Sequence, residues 1–140
     1  MNTRKTPSRA QVIREHLEQK LPDPCLRFSF KHLQTTPKFG LPDLDHAASY
    51  LRQLLDRLQA VSTLHPAEFR TSKGKSLRAH RHLWSKTTEQ NGFAHLPPSW
   101  QREEAWQFQL SANKHGRVHG ILVDEVFYIV WLDPEHRLYQ

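Results

Sequence analysis

The last twenty-four residues, RVHGILVDEVFYIVWLDPEHRLYQ (117–140), constrain the fold more than any other stretch. They hold the densest apolar run of the chain, Val126 to Leu132, bounded by Asp124-Glu125 before it and Asp133-Pro134 after it. Arg117–Val123 and Val126–Leu132 therefore read as two strands of a hairpin joined at Asp124-Glu125. A two-residue loop pairs Val123 with Val126 and every residue outward in register. On that register one face carries Val118, Gly120, Leu122, Phe127, Ile129 and Trp131, all without a polar side chain. The other carries Arg117, His119, Ile121, Val123, Val126, Tyr128, Val130 and Leu132. Gly120, opposite Ile129, leaves room for a close approach by backbone or a bulky ring. Arg117 and His119 emerge together at the open end of the hairpin. Asp133, His136, Arg137 and Tyr139 follow the second strand to the same end.

The rest of the chain supplies what this hairpin needs to pack against. Leu44 to about Val61 is the strongest helix, with Asp43 as N-cap, Asp45 in the first turn, and a stripe of Leu44, Ala47/Ala48, Leu51, Leu54/Leu55, Leu58 and Val61. Its apolar stripe is expected to cover the apolar face of the hairpin. Ser8 caps a more peripheral helix over about Arg9–Leu21, which Pro22 and Pro24 end. Leu26 to Leu33 alternates as a half-buried strand, as does Trp106 to Leu110. Pro66–Phe69 suits a short helix, and residues 85–104 read as a long polar loop. The expected fold is α+β, with N-terminal helices packed on a small antiparallel sheet that ends in the C-terminal hairpin. Residues 1–7 read as a flexible basic tail and 8–140 as one domain, a length that can bury a core without staples.

Charge narrows the partners. Twenty Lys and Arg against fourteen acids give a net charge of +6 and an isoelectric point near 9.8, which favours a polyanion. From Arg70 to Lys86 there are six basic residues and no acid. Lys73, Lys75, Arg78, His80, Arg81, His82 and Lys86 are the candidate nucleic-acid-binding residues of this segment, with Trp84 and Trp100 available for base stacking. If Leu77–Trp84 is a strand, Arg78, His80, His82 and Trp84 share one face. Lys73-Gly74-Lys75-Ser76 lacks the upstream glycine and strand of a phosphate loop. A single cysteine, Cys25, excludes an internal disulfide. No apolar run is long enough to cross a membrane, and no apolar signal core follows the basic N-terminus, so a cytoplasmic protein without membrane partners is expected.

The open end of the hairpin carries the chemistry. Metal-free RNA cleavage needs a base near the 2′-oxygen, an acid at the departing 5′-oxygen and cations on the phosphate. Arg117, His119, His136 and Tyr139 are the candidate catalytic residues, since His, Tyr and Arg suit these roles near neutral pH. Asp133, His136 and His119 could instead supply three metal ligands, but Asp133-Pro134 serves equally as a turn, and no metal or other cofactor is expected.

With helices first, then a basic strand and a C-terminal meander ending in His and Tyr, the chain resembles the RelE/YoeB superfamily of small toxins. The resemblance is one of layout over about residues 44–140, and its most telling part is HGRVHGILVDEVFYIVWLDPEHRLYQ. It implies a messenger-RNA endoribonuclease, free or ribosome-associated, held by a cognate antitoxin. It further implies that Arg117, His136 and Tyr139 hold and cleave the phosphate backbone, with Arg78 and Arg81 as added phosphate clamps. Two other readings stay open on the residues alone: a non-enzymatic nucleic-acid-binding module built on 70–86, and a protein-interaction factor of the antidefence or immunity kind that sets its basic face against an acidic partner.

Overall fold

Nothing organises the molecule more than a single extra residue in its last strand. The computed structural model describes residues 5–20, 25–71, 77–111 and 116–139, with backbone alone at 17–20. Lys73 and Lys75 lie outside the described residues. The elements run α1 (Arg9–Lys20), β1 (Arg27–Ser29), α2 (Leu44–Val61), α3 (Pro66–Thr71), β2 (His80–Arg81), a 3-10 turn (Trp84–Lys86), α4 (Pro98–Gln101), β3 (Glu104–Gln109), β4 (Arg117–Val123) and β5 (Val126–Asp133). The protein is α+β, as the patterning predicts. The strands form one mixed sheet in the order β1-β5-β4-β3-β2, with β1 parallel to β5 and the other neighbours antiparallel.

From the turn outward the hairpin keeps the expected register, Val123 with Val126 through to Gly120 with Ile129. Beyond that a bulge shifts the pairing, so that His119 faces Trp131, Val118 faces Leu132 and Arg117 faces Asp133. An extra residue in one strand reverses the faces of everything after it. Trp131 therefore leaves the helix-covered face assigned to it by simple alternation, and Leu132 takes that place. Gly120 sits at the irregularity, where a β-carbon would meet the Tyr128 carbonyl oxygen at 2.2 Å and the Phe127 ring at 2.5 Å. Only glycine fits there.

One face of the sheet packs on α2. The cap is as expected: the Asp43 carboxylate accepts from the His46 N–H at 3.2 Å. The stripe that turns inward is narrower than the sequence suggests, and is made of Tyr50, Leu54, Leu58 and Val61. These pack on Phe69 of α3 and on Trp106, Phe108, Val118, Leu122, Phe127, Ile129 and Leu132 of the sheet. Leu44, at 94% exposure, and Leu55, at 65%, point outward.

The opposite face has no long helix. It is covered by Phe39 from the loop after β1 and by Phe93 and Leu96 from the segment between β2 and β3, over Ala105, Ile121, Val130, Trp131 and Leu138. The polar-looking stretch 85–104 is thus the second cover of the sheet. That cover changes β3: Ala105 through Gln109 are all buried, where alternation alone predicts a half-buried strand. β1 is also shorter than expected, because a turn at Lys31-His32 takes the chain off the sheet. α1 is peripheral. Ser8 Oγ accepts from the Gln11 N–H, while the Gln11 side chain accepts from the Ser8 N–H, a reciprocal cap.

Candidate active site

The bulge puts Asp133 on the same side as His119, and the site grows from that pair. Both side chains are fully buried, and His119 Nε2 donates to Asp133 Oδ2 at 2.8 Å. The same carboxylate shapes the chain that follows. Its Oδ1 accepts from the Arg137 N–H at 2.7 Å and its Oδ2 from the Leu138 N–H at 3.1 Å. This is the side-chain-to-backbone turn that aspartate favours. Leu138, fully buried, then pins the segment, and its carbonyl accepts from the Thr88 N–H at 2.7 Å. Tyr139 is thereby laid against His82.

Hydrogen bonds continue outward from His119. Its Nδ1 lies 3.0 Å from His82 Nε2, and His82 Nδ1 lies 2.7 Å from the Tyr139 hydroxyl. His82 is stacked on Tyr139, with ring centroids 5.6 Å apart, and is tilted against Trp84 at 4.8 Å. Four side chains from three strands or their flanks thus form one line, Asp133–His119–His82–Tyr139.

The electrostatics fix their charge states. Burial raises the Asp133 carboxyl, but the hydrogen bonds from His119 and from the two backbone N–H groups outweigh it and hold it below the ordinary carboxylate range. Burial lowers His119, against the pull of Asp133. Burial first, and then the neighbouring His119 and His80, push His82 down to about 2. Burial raises the Tyr139 phenol. At neutral pH the line therefore holds one carboxylate, two neutral imidazoles and one phenol.

Its outer end opens into a cleft of about 300 Å3 lined by Arg78, His80, Gln107, Arg117, His136 and Tyr139. Arg78 and His136 both have left-handed backbones, with φ of 44° and 56°. Non-glycine residues are uncommon in that region, and such strain gathers at functional sites. Arg117 has its guanidinium lowered by burial and then by Arg78, against a smaller pull from Asp133. Two arginines thus converge on one cleft, an arrangement that an anion would relieve. Gln107 is 4% exposed, and its Oε1 has no hydrogen-bond partner among the described residues.

The residues singled out in the sequence divide accordingly. Arg117, His136 and Tyr139 line the cleft with Arg78 and His80. His119 does not emerge beside Arg117 as simple alternation suggests. It is buried beneath the cleft with both ring nitrogens engaged, so it acts only through its neighbours. His82 is likewise built into the line by both nitrogens and is no solvated phosphate contact. Arg81 pairs with Trp106 and so follows the helix-covered side, near Glu104, away from the cleft. Lys86 is exposed in the 3-10 turn and is not among the cleft residues. Alternation assigns Gln107 to a solvated face, and only the loop cover makes it a buried floor residue. Asp133 as the partner of His119 depends on the bulge, which no periodicity signals. Among the described residues no three His, Cys, Asp or Glu side chains stand together as a metal site. Asp133 and His119 spend their atoms on each other, His82 and the backbone.

No family model, curated protein or solved structure matches the chain.

Proposed function

We propose that the protein is an endoribonuclease that cleaves RNA by transesterification without a catalytic metal. The observation that carries this reading is the convergence of Arg78 and Arg117 with His136 and Tyr139 around one cleft. Two guanidiniums supply the positive charge that a phosphodiester transition state requires, and they can bind phosphate oxygens through paired N–H groups. His136 and Tyr139, together with His80, are the proton-exchanging groups beside them. In the reaction O2′ attacks the adjacent phosphorus and loses its proton, while the P–O5′ bond breaks and O5′ gains one. The products are a 2′,3′-cyclic phosphate and a 5′-hydroxyl.

The biological setting we propose is that of a toxin of the RelE/YoeB kind, cytoplasmic, acting on messenger RNA free or on the ribosome and restrained by a cognate antitoxin. The layout of the C-terminal meander supports this setting. Among the described residues, no helix is long and apolar enough to cross a membrane.

The test is direct. Purified protein incubated with RNA in excess chelator should yield fragments with cyclic-phosphate ends. Arg117→Ala should lower the rate about 10²–10³-fold, the scale of one transition-state donor, while the fold persists. Expression should arrest growth, and Arg117→Ala or His136→Ala should relieve the arrest. Salt-sensitive RNA binding without cleavage by folded protein would leave a binding module instead.

A further inference from the structure

The line Asp133–His119–His82–Tyr139 does more than fill the loop-covered face. With both imidazoles neutral, its polarity follows from hydrogen-bond accounting. The Asp133 carboxylate is an acceptor, so His119 must carry its proton on Nε2. A neutral His119 then has a bare Nδ1, which requires the proton of His82 to be on Nε2. A neutral His82 has a bare Nδ1 in turn, so the Tyr139 hydroxyl must donate inward to it. Every donor in the line points away from the cleft. The Tyr139 oxygen also accepts from the Leu83 backbone N–H, which leaves it one further lone pair, and the residue lines the cleft with Arg117 and His136.

We propose that Tyr139 is the general base of RNA cleavage and that His82 and His119 carry the proton it accepts to the buried Asp133. The proposal rests on the RNA-cleavage reading above and assigns the roles within it. As O2′ attacks phosphorus, its proton passes to the Tyr139 oxygen. The Tyr139 proton moves to His82 Nδ1, and the His82 Nε2 proton moves to His119 Nδ1. His119 ends as an imidazolium against the Asp133 carboxylate, and His82 ends neutral with its proton on the other nitrogen. The P–O2′ bond forms, the P–O5′ bond breaks, and O5′ takes a proton from His136. The line resets when the stored proton returns through Tyr139 to water. Tyr139 never becomes a phenolate and His82 never holds a charge, which suits groups so hard to ionise in this site. Tyr139 and His136 are the catalytic residues in this scheme. His82, His119 and Asp133 are positioning and relay residues.

Leaving-group chemistry separates the two roles. Two substrates are needed: the dinucleotide uridylyl-adenosine, whose alkoxide leaving group needs an acid, and uridine 3′-(4-nitrophenyl phosphate), whose phenolate leaves unaided. Tyr139→Phe and Asp133→Asn should each lose about 10²–10⁴-fold on both substrates, the range of a general base. His136→Ala should lose on the dinucleotide and recover on the nitrophenyl ester. Recovery of Tyr139→Phe on the ester would make Tyr139 an acid and overturn the proposal. A wild-type rate in Asp133→Asn would remove the relay. If Asp133→Asn fails to fold, His82→Phe, which keeps the ring in the stack and removes both nitrogens, decides the relay by the same criterion. A folded wild-type protein inert on both substrates would instead refute RNA cleavage itself.

Discussion

The two faces of the sheet are built from the same strands but obey different rules. The face under α2 is packed with aromatic and aliphatic side chains: Phe69 meets Trp106, Phe108 and Phe127 at centroid distances of 5.4–6.0 Å, each edge to face. The face under the loop segments also holds aromatics, with Phe39 stacked on Trp131 at 4.5 Å. Alongside them it buries His119, Asp133 and Gln107. Burying a carboxylate and two imidazoles costs stability unless each is paired. Here each finds its partner in line, and the line ends at a cleft. The helix-covered face is apolar throughout and holds the fold together, while the loop-covered face also carries a paired polar line that ends at the cleft.

The sharpest way to break this division is to damage the helix-covered face. Phe108→Ala should cost about 3–5 kcal/mol of stability, the usual range for a buried aromatic truncated in a core. The fraction that remains folded should still cleave RNA at the wild-type rate per molecule. A loss of rate in folded protein would mean that the faces are not separable.

Acid should attack the other face. In the unfolded chain the two histidines bind protons below their ordinary value near 6.5, whereas in the folded chain both are held lower, His82 down to about 2. The unfolded state thus gains protons first as pH falls, and stability drops from about pH 6.5 downward. At pH 5 this amounts to about 1–2 kcal/mol for His82. The Asp133 contribution is present above the ordinary carboxylate range and is lost only at still lower pH, as its depressed folded value is reached. Melting temperatures between pH 7.5 and 5 should fall in the wild type and fall less steeply in His82→Phe, where the lowered His119, His32 and His95 remain.

The smallest expected effect concerns Gln107. Replacing it with Leu removes a buried acceptor that has no partner among the described residues. Stability should hold or rise by about 1 kcal/mol, since an unsatisfied buried acceptor carries a desolvation cost of that order. RNA affinity should stay unchanged, because that oxygen is closed off from the cleft. A clear loss of stability would mean that the Gln107 oxygen is satisfied in the folded protein.

Much of this was legible in the chain. The Asp43 cap, the hairpin turn at Asp124-Glu125 and the partnership of Gly120 with Ile129 follow from local chemistry and period-two alternation. So does the gathering of Arg117, His136 and Tyr139 at one end of the sheet. Three things were not. The bulge between His119 and Gly120 leaves no periodic trace, yet it exchanges the faces of Trp131 and Leu132 and places Asp133 beside His119. The segment 85–104 hides Phe93 and Leu96 among polar neighbours, so its role as a cover, and with it the burial of Gln107, depends on tertiary packing. Within α2, Leu54 and Leu55 are indistinguishable by hydrophobicity, but only Leu54 turns inward.

The central claim, a polarised line of neutral groups running from the cleft to a buried carboxylate, is most directly tested by nitrogen-15 NMR of the histidine side chains at neutral pH. The account predicts that His82 and His119 are both neutral and both protonated on Nε2, with each Nδ1 acting as an acceptor. A proton on His82 Nδ1, or an imidazolium at His119 in the resting protein, would reverse the line and contradict it.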